Sequence, residues 1–420
     1  MRRICHEQTH RLSRVLAYRG EVMTPTVHRV LCVRGLRAFA DGYVSLVLPV
    51  YLIALGFSAV EVGVIATATL LGSAALSLLV GLHAHRAGYR TLLLAAAGLM
   101  AATGFCFAAF SDFWPLLVIA IVGTLNPSSG DVSVFLPLEQ ALLSQAVSDR
   151  ERTATFARYS LVGALVGALG ALFAGAPDLA AKTFGLAPKV TLQAMFALYG
   201  VIGLFTALVY RRLPTTHAGV AQAAAAPLGR SRRIVFTLAA LFSLDSFGGG
   251  FIVQSMLALW LFERFELSTV VAGTIFFWSG ILSAFSYLVA VRIAKRIGLV
   301  NTMVFTHLPA NLLLAATPFM PNLGWAVALL LLRSALSQMD VPTRNSYVMA
   351  VVSPEERPAA ASITSVPRSL ASSLSPLLSG LMLAASSFGW PLVVGGLTKI
   401  VYDLSLLAMF RAVRPPEERT

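Results

Sequence analysis

The chain says nearly the same thing twice, in strongly apolar language. Residues 58–90 lie on residues 268–300 at a constant offset of 210, with 10 identities in 33 positions and no gap. Residues 137–175 lie on 342–380 at an offset of 205, with 11 identities in 39. Matches among Leu, Ala and Val are cheap in such a chain, so the polar, Gly and Pro identities carry the weight. They include Ser58/Ser268, Gly63/Gly273, Arg86/Arg296, Gly88/Gly298, Pro137/Pro342, Glu151/Glu356, Arg152/Arg357 and Gly175/Gly380. The fold must therefore be two similar units facing each other.

Those units belong in a bilayer. Of 420 residues, 57% are hydrophobic and 12% are charged, about half the charged share usual for a soluble domain. Twelve apolar runs predict an all-α protein with membrane helices at about 33–56, 61–82, 91–111, 115–147, 153–175, 194–211, 234–262, 269–291, 301–320, 324–352, 358–387 and 390–411. The fourth and tenth exceed a straight crossing and contain Pro127, Pro137 and Pro342, so tilts or kinks are expected there. The domain plan is a basic arm at 1–32, a six-helix bundle at 33–211, a linker at 212–233 rich in Ala, Pro and Thr, a second bundle at 234–411 and a tail at 412–420.

Charge placement orients the chain. The net charge of +13 sits in short clusters between apolar runs, which argues for lipid headgroups and against nucleic acid as a partner. The arm, the linker, the tail and every second loop collect arginines, whereas the opposite loops hold Lys182, Lys189 and Arg264. Both termini are thus expected in the cytoplasm, with the chain in the inner cell membrane. Residues 1–29 lack the apolar core of a signal peptide, and Met23 is an alternative start to Met1. Cys5, Cys32 and Cys106 form no CxxC pair, and no cofactor or metal site is expected. The absence of a P-loop, HExxH or GxSxG argues against an enzyme.

The loop after the second helix reads GLHAHRAGYR at 81–90. Its Gly81, Ala84, Arg86, Gly88 and Arg90 resemble the signature loop of the major facilitator superfamily, G-x-L-A-D-R-x-G-R-[KR]. The second half repeats a shortened copy, AKRIG at 294–298. Where the family has an aspartate this chain has His85, and Lys295 in the copy; neither can serve as the usual permanent anion of the latch, and His85 titrates near neutrality. The eleventh helix carries Ala371-x3-Ser375-Pro376-x2-Ser379-Gly380, similar to the small-residue pattern of the family's antiporters. Its counterpart in the fifth helix reads Gly170-Ala171-x2-Ala174-Gly175.

The resemblance implies two six-helix halves related by a pseudo-twofold axis, a monomer, alternating access, and a central cavity lined by helices one, four, seven and ten. Ionisable groups inside membrane helices are costly and mark function. Asp41, Asp131, Asp245 and Asp340 are therefore proton-coupling candidates, and Arg37 and Arg333 cavity candidates, with Tyr43, Tyr51, Phe135, Phe247 and Phe251 as aromatic lining. Gly81, His85, Arg86, Gly88, Arg90, Glu139, Arg344 and Pro376 are gate candidates. Three local pairs are expected from spacing: Arg37 with Asp41, Lys399 with Asp403, and Arg333 with Asp340. Glu139 and Arg344, equivalent in the repeat, are expected to bridge the halves. Gly248, Gly249 and Gly250 predict a weakened seventh helix. The implied function is a proton-coupled exporter of small amphipathic or toxic compounds. The alternatives are a symporter for a polar or anionic nutrient, with Arg333 as counter-ion, or a metalloid exporter.

Overall fold

The computed structural model describes residues 25–83, 88–128, 133–147, 149–214, 229, 231–353 and 356–411. Among them every regular element is helical. The helices fall into twelve crossings. The first half comprises α1 (Pro25–Ala54), α2 (Ala59–His83), α3 (Tyr89–Ala109), α4a (Phe113–Val122) with α4b (Phe135–Ala146), α5 (Asp149–Phe173) and α6 (Pro188–Tyr210). The second comprises α7a (Arg232–Gly250) with α7b (Gln254–Phe265), α8 (Thr269–Ile297), α9 (Leu299–Ala316), α10a (Leu323–Leu336) with α10b (Asp340–Val351), α11 (Arg357–Ala385) and α12 (Trp390–Phe410). A short helix, Ala176–Phe184, follows α5. Among the described residues, nine crossings are individually long and apolar enough to span a bilayer. The fourth and tenth fall short because they are broken, and α11 because it is rich in serine. α1 begins at Pro25, earlier than expected, because proline suits a first helical position and Val27, Val30 and Val33 extend its buried face. The arm up to residue 24, most of the linker and the tail lie outside the described residues.

An even number of crossings puts the start of α1 and the end of α12 on one face, here the termini face, with the 55–58 and 265–268 turns on the distal face. The repeat identities at those turns are caps. The Ser58 hydroxyl accepts from Glu61 N (3.4 Å) while the Glu61 carboxylate accepts from Ser58 N (2.7 Å), a reciprocal cap on α2. Ser268 Oγ accepts from Val271 N (3.3 Å) and does the same for α8. Gly298 requires its glycine, at φ +86° between α8 and α9. Its partner Gly88 sits at φ −60°, ψ 148°, which any residue adopts.

The halves meet at the distal face through backbone-close crossings. A Cβ at Gly63 on α2 would lie 2.6 Å from the Pro376 carbonyl oxygen and 3.1 Å from Gly380 Cα on α11. The symmetric crossing sets Gly273 of α8 against α5, where its Cβ would lie 2.6 Å from the Ala171 oxygen. Proline has no N–H and distorts the turn around it, and Leu377 N, next to Pro376, donates across the halves to Thr67 Oγ1 (2.9 Å). Asp178 accepts from Thr269 N (3.0 Å), and Ser255 N donates to the Pro127 carbonyl (3.0 Å), both again between halves. One apolar core runs from the first half into α7b through Met256, Trp260 and Leu261. A separate core holds the termini side of the second half, around Val235, Phe242, Met303, Tyr347 and Tyr402. These crossings and hydrogen bonds join the halves toward the distal face.

Candidate functional site

The fourth, seventh and tenth crossings are broken, and side chains satisfy groups freed at the seventh and the fourth. α7a stops after its glycines, and the turn at 251–253 leaves carbonyls without helical donors. Ser375 Oγ donates to the Phe247 carbonyl and Ser379 Oγ to the Phe251 carbonyl, both at 2.6 Å. The serines of the α11 motif are thus the partners of the broken helix. Gly248 and Gly250 also permit contact: their Cβ atoms would lie 3.0 Å from the Gly395 oxygen and 2.3 Å from the Ser372 oxygen. Close packing and a helix break coincide. In α4, Asn126 Oδ1 closes a turn by accepting from Ser128 N (3.0 Å), and Tyr199 Oη donates to the Thr124 carbonyl (2.9 Å).

Each half buries an ion pair at an equivalent place, with the signs exchanged. Gly42 of α1 crosses Gly167 of α5 as Gly250 of α7a crosses Ser372 of α11, which relates the first and seventh crossings by an offset of 208. Arg37 then corresponds to Asp245, and Glu139 to Arg344. Arg37 pairs with Glu139, and Asp245 pairs with Arg344 at 3.0 Å. The expected Glu139–Arg344 bridge across the halves is not formed. The symmetry that makes the two residues equivalent also supplies each with a counter-charge in its own half.

The first-half pair is closed. Glu139 has no solvent exposure and also accepts from Tyr159 Oη (2.5 Å) and Tyr210 Oη (2.6 Å). The Arg37 guanidinium lies over the Phe135 ring, 4.1 Å from its centroid, and that of Arg34 over Tyr159 at 4.8 Å. Asp41, expected to pair with Arg37, is buried within electrostatic reach of it, while the closest carboxylate on Arg37 is that of Glu139.

The second-half pair is part of a network that joins four crossings. Asp245 of α7a accepts from Lys399 Nζ (2.6 Å) of α12 as well as from Arg344 of α10b. Arg344 also contacts Asp340 at 3.3 Å. His307 of α9 stands between two carboxylates, with Nδ1 2.9 Å from Asp403 Oδ1 and Nε2 3.8 Å from Asp245 Oδ1. Asn311 Nδ2 donates to Asp403 Oδ2 (2.9 Å), and the Tyr402 ring stands edge-on to the imidazole at 6.0 Å. Two expected pairs are therefore corrected. Lys399 reaches Asp245 instead of Asp403, four residues away on its own helix, and Asp340 pairs with Arg344 instead of Arg333. In the first case a neighbouring helix offers the better-placed partner; in the second the break between α10a and α10b sets Arg333 apart, and Arg344, four residues on in the same helix, takes its place. α12, which is not among the four helices expected to line the cavity, contributes Lys399 and Asp403 to the buried centre. His307 was not among the sequence candidates. Its signal is the polar column Thr302, Thr306, His307 and Asn311 in an apolar helix.

The other candidates separate cleanly. Tyr43 and Tyr51 are buried and donate to the Met195 and Phe107 carbonyls at 3.1 and 3.0 Å, so they pack the first half instead of lining a cavity. Phe135 and Phe251 are likewise buried, and Phe247 is half-buried against Phe251. Arg333 is half-buried in the last turn of α10a, its Nε without a hydrogen-bond partner among the described residues. Pro376 lies at the α2–α11 crossing. Gly81 is in the last turn of α2, and Arg90 is half-buried in the first turn of α3. Asp131, His85 and Arg86 lie outside the described residues.

The profile of the Major Facilitator Superfamily matches residues 30–339. The chain belongs to the major facilitator superfamily. Its fold agrees with solved members at low identity. The inward-open xylose transporter XylE of E. coli superposes with a TM-score of 0.72 at 14% identity, over 94% of this chain and 98% of that one. The nucleoside transporter NupG gives 0.70 at 14%, over 92% and 100%. The unoccupied inward-facing bacterial homolog of the lysosomal transporter Spinster gives 0.69 at 13%, over 93% and 96%. In sequence, the uncharacterized membrane protein YJR124C of Saccharomyces cerevisiae is 25% identical over 416 residues, covering 90% of this chain and 92% of that protein. The chain is therefore a multi-pass membrane transporter of this superfamily.

Proposed function

We propose that this superfamily member is a proton-coupled secondary transporter working by alternating access, with the coupling proton held in the network around His307. The observation that carries this reading is the place of the imidazole between Asp245 and Asp403, on two different helices. An imidazolium can donate from both nitrogens, whereas a neutral ring donates from one. Gaining or losing that proton changes how α9 is tied to α7a and α12. The other charged groups facing this point are Lys399, Arg344 and Asp340. The lysine and arginine keep their charge at neutral pH, and of the remaining groups the histidine is the one whose ordinary titration lies nearest neutrality.

Of the expected substrate classes, the structure favours the polar or anionic solute over the amphipathic toxic compound. Four of the five aromatic candidates are buried in packing, while buried and half-buried arginines and carboxylates occupy the interior of the second half. The metalloid variant gains no support: Cys32 is exposed, Cys106 is half-buried on a different helix, and no cluster of potential metal ligands occurs among the described residues. Arginines near the termini face, such as Arg29, Arg211, Arg212, Arg232, Arg233, Arg357 and Arg411, against Lys182, Lys189 and Arg264 on the distal side, support a cytoplasmic termini face.

The test is uptake of a panel of small polar and anionic solutes into proteoliposomes under an imposed pH gradient. The wild type should accumulate at least one solute. His307→Asn should still exchange that solute but fail to accumulate it. If no solute responds to the gradient, or if His307→Asn accumulates normally, proton coupling through this residue is wrong.

A further inference from the structure

The two distal crossings are near copies, yet the helix starts they carry are capped differently. α2 caps itself: Ser58 Oγ accepts from Glu61 N, and the Glu61 carboxylate accepts from Ser58 N and from Ser58 Oγ (2.8 Å). At the offset of 210, α8 keeps the serine as Ser268 but has Val271 in place of the glutamate. Its own first turn therefore holds no carboxylate. One reaches it from the other half, where Asp178 Oδ2 accepts from Thr269 N at 3.0 Å. Thr269 is the first residue of α8, so its amide has no helical acceptor, and the residue is buried, so little water reaches it.

The place of Asp178 is built into the first half. α5 ends at Phe173, and the chain passes through Gly175 into the short helix Ala176–Phe184, which starts on the buried Pro177 and packs on α6. A Cβ at Gly175 would lie 2.9 Å from Val270 Cα, next to Thr269, so the two halves nearly touch here. The second half has no such helix, because α11 runs to Ala385 and α12 starts at Trp390. At the offset of 205 that sets Gly175 on Gly380, Asp178 falls on Leu383, part of the apolar core that includes Ala59 and Val62 of α2. The two differences compensate. The helix start with its own carboxylate is matched by leucine in the other half, and the one with valine is matched by aspartate.

Resting on the alternating-access reading above, we propose that Asp178 holds the distal face closed, as a cap lent by the first half to a helix of the second. The bond from Thr269 N spans the halves, so it is lost when they part at this face. Opening then leaves the start of α8 short of an acceptor, whereas α2 keeps its cap in either state because that cap lies within one helix. A carboxylate over a helix N-terminus also gains from the aligned peptide dipoles, and that gain is lost with the bond. Asp178 is thus a positioning residue that sets the balance between the two access states.

The test is the rate at which Ala59→Cys reacts with a water-soluble maleimide, in the full chain in detergent micelles with Cys5, Cys32 and Cys106 replaced by serine. Ala59 is buried at the other distal crossing, α2 on α11, so its rate reports opening of the whole face and not fraying of α8. Asp178→Ala should raise the rate by about 10-fold or more, the worth of a hydrogen bond to a charged acceptor. Asp178→Asn keeps an acceptor oxygen and should raise it less. Adding Val271→Glu to Asp178→Ala gives α8 the cap that α2 has. The unfolding temperature should then recover while labelling stays fast, because the cap is restored and the tie is not. A return to slow labelling in that double variant would make Asp178 a cap and nothing more, and an unchanged rate in Asp178→Ala would also overturn the proposal. Gly63→Ala disturbs the α2–α11 crossing directly and is the control for opening. If it speeds labelling and Asp178→Ala does not, the role of Asp178 is wrong and alternating access stands; if neither does, both fail. No proton gradient is present, so the outcome is independent of coupling through His307.

Discussion

Charge reversal distinguishes pairing within a half from pairing between halves. Glu139 is buried without exposure and takes three donors, from Arg37, Tyr159 and Tyr210. In Glu139→Gln the amide keeps one acceptor oxygen for three donors, and the Arg37 guanidinium is left buried with its charge uncompensated. Removing one partner of a buried ion pair costs about 3–5 kcal/mol. Tyr159→Phe and Tyr210→Phe each delete one hydrogen bond to a charged acceptor, worth about 1.5–3 kcal/mol. The losses should not add, because the three donors share one carboxylate. Equilibrium unfolding by titrating a denaturing detergent into micelles gives these differences. The decisive comparison is between two double variants. Arg37→Glu with Glu139→Arg keeps one positive and one negative group in the first half and copies the sign order of the second, so it should recover much of what either single variant loses. Glu139→Arg with Arg344→Glu puts two cations together beside Arg34 and a third carboxylate beside Asp245 and Asp340, so it should be worse than either single change. If the cross-half reversal restores stability or transport and the within-half reversal does not, the assignment of these pairs is wrong.

Two further outcomes are expected. Gly63→Ala places a methyl group 2.6 Å from the Pro376 carbonyl and should push α2 from α11 at a cost of about 1–3 kcal/mol; a cysteine substituted at Ala59, buried at this crossing, should then label faster with a water-soluble maleimide, and an unchanged rate would refute the crossing as the distal seal. Hydrogen bonds from Ser231 and from the Gly229 amide hold the Glu356 carboxyl below its ordinary value of 4.5. The clamp between linker and α11 should therefore be intact at neutral pH and be lost as pH falls through that lowered value. Glu356→Ala should speed hydrogen exchange at the Gly229 amide at pH 7, and equal exchange in variant and wild type would dismiss the clamp.

The duplication, the twelve crossings and the superfamily were legible because they are written in periodic features. Apolar length, the Gly63/Gly273 and Ser58/Ser268 identities and the 81–90 loop all survive reading along one dimension. Charge partners were not legible in the same way. Spacing of four suggested Lys399 with Asp403, yet Lys399 reaches Asp245 and Asp403 reaches His307, because contacts between helices outcompete contacts along one. Aromatics misled for a related reason. A buried tyrosine must place its hydroxyl, and Tyr43 and Tyr51 place theirs on backbone carbonyls of neighbouring helices, which no pattern within α1 encodes. The serines of α11 read as small packing residues. Their second task, capping the carbonyls freed where α7a ends, becomes visible only with both helices in place.

The exchanged signs suggest how one ancestral anchor came to serve two purposes. In the first half the carboxylate is on the fourth crossing and its partners are an arginine and two phenols, none of which changes charge near neutral pH. That pair can hold α1, α4b, α5 and α6 together under all working conditions. In the second half the carboxylate has moved to the seventh crossing, where α9 and α12 can both reach it. One of those helices brings a lysine and the other a histidine. The histidine introduces a charge that can come and go, and its other nitrogen binds a carboxylate on α12. Under the coupling through His307 proposed above, a rigid half opposite a half whose interhelical ties depend on one proton supplies the asymmetry that coupling requires. Two equally closed halves would have no site at which a proton gradient could act.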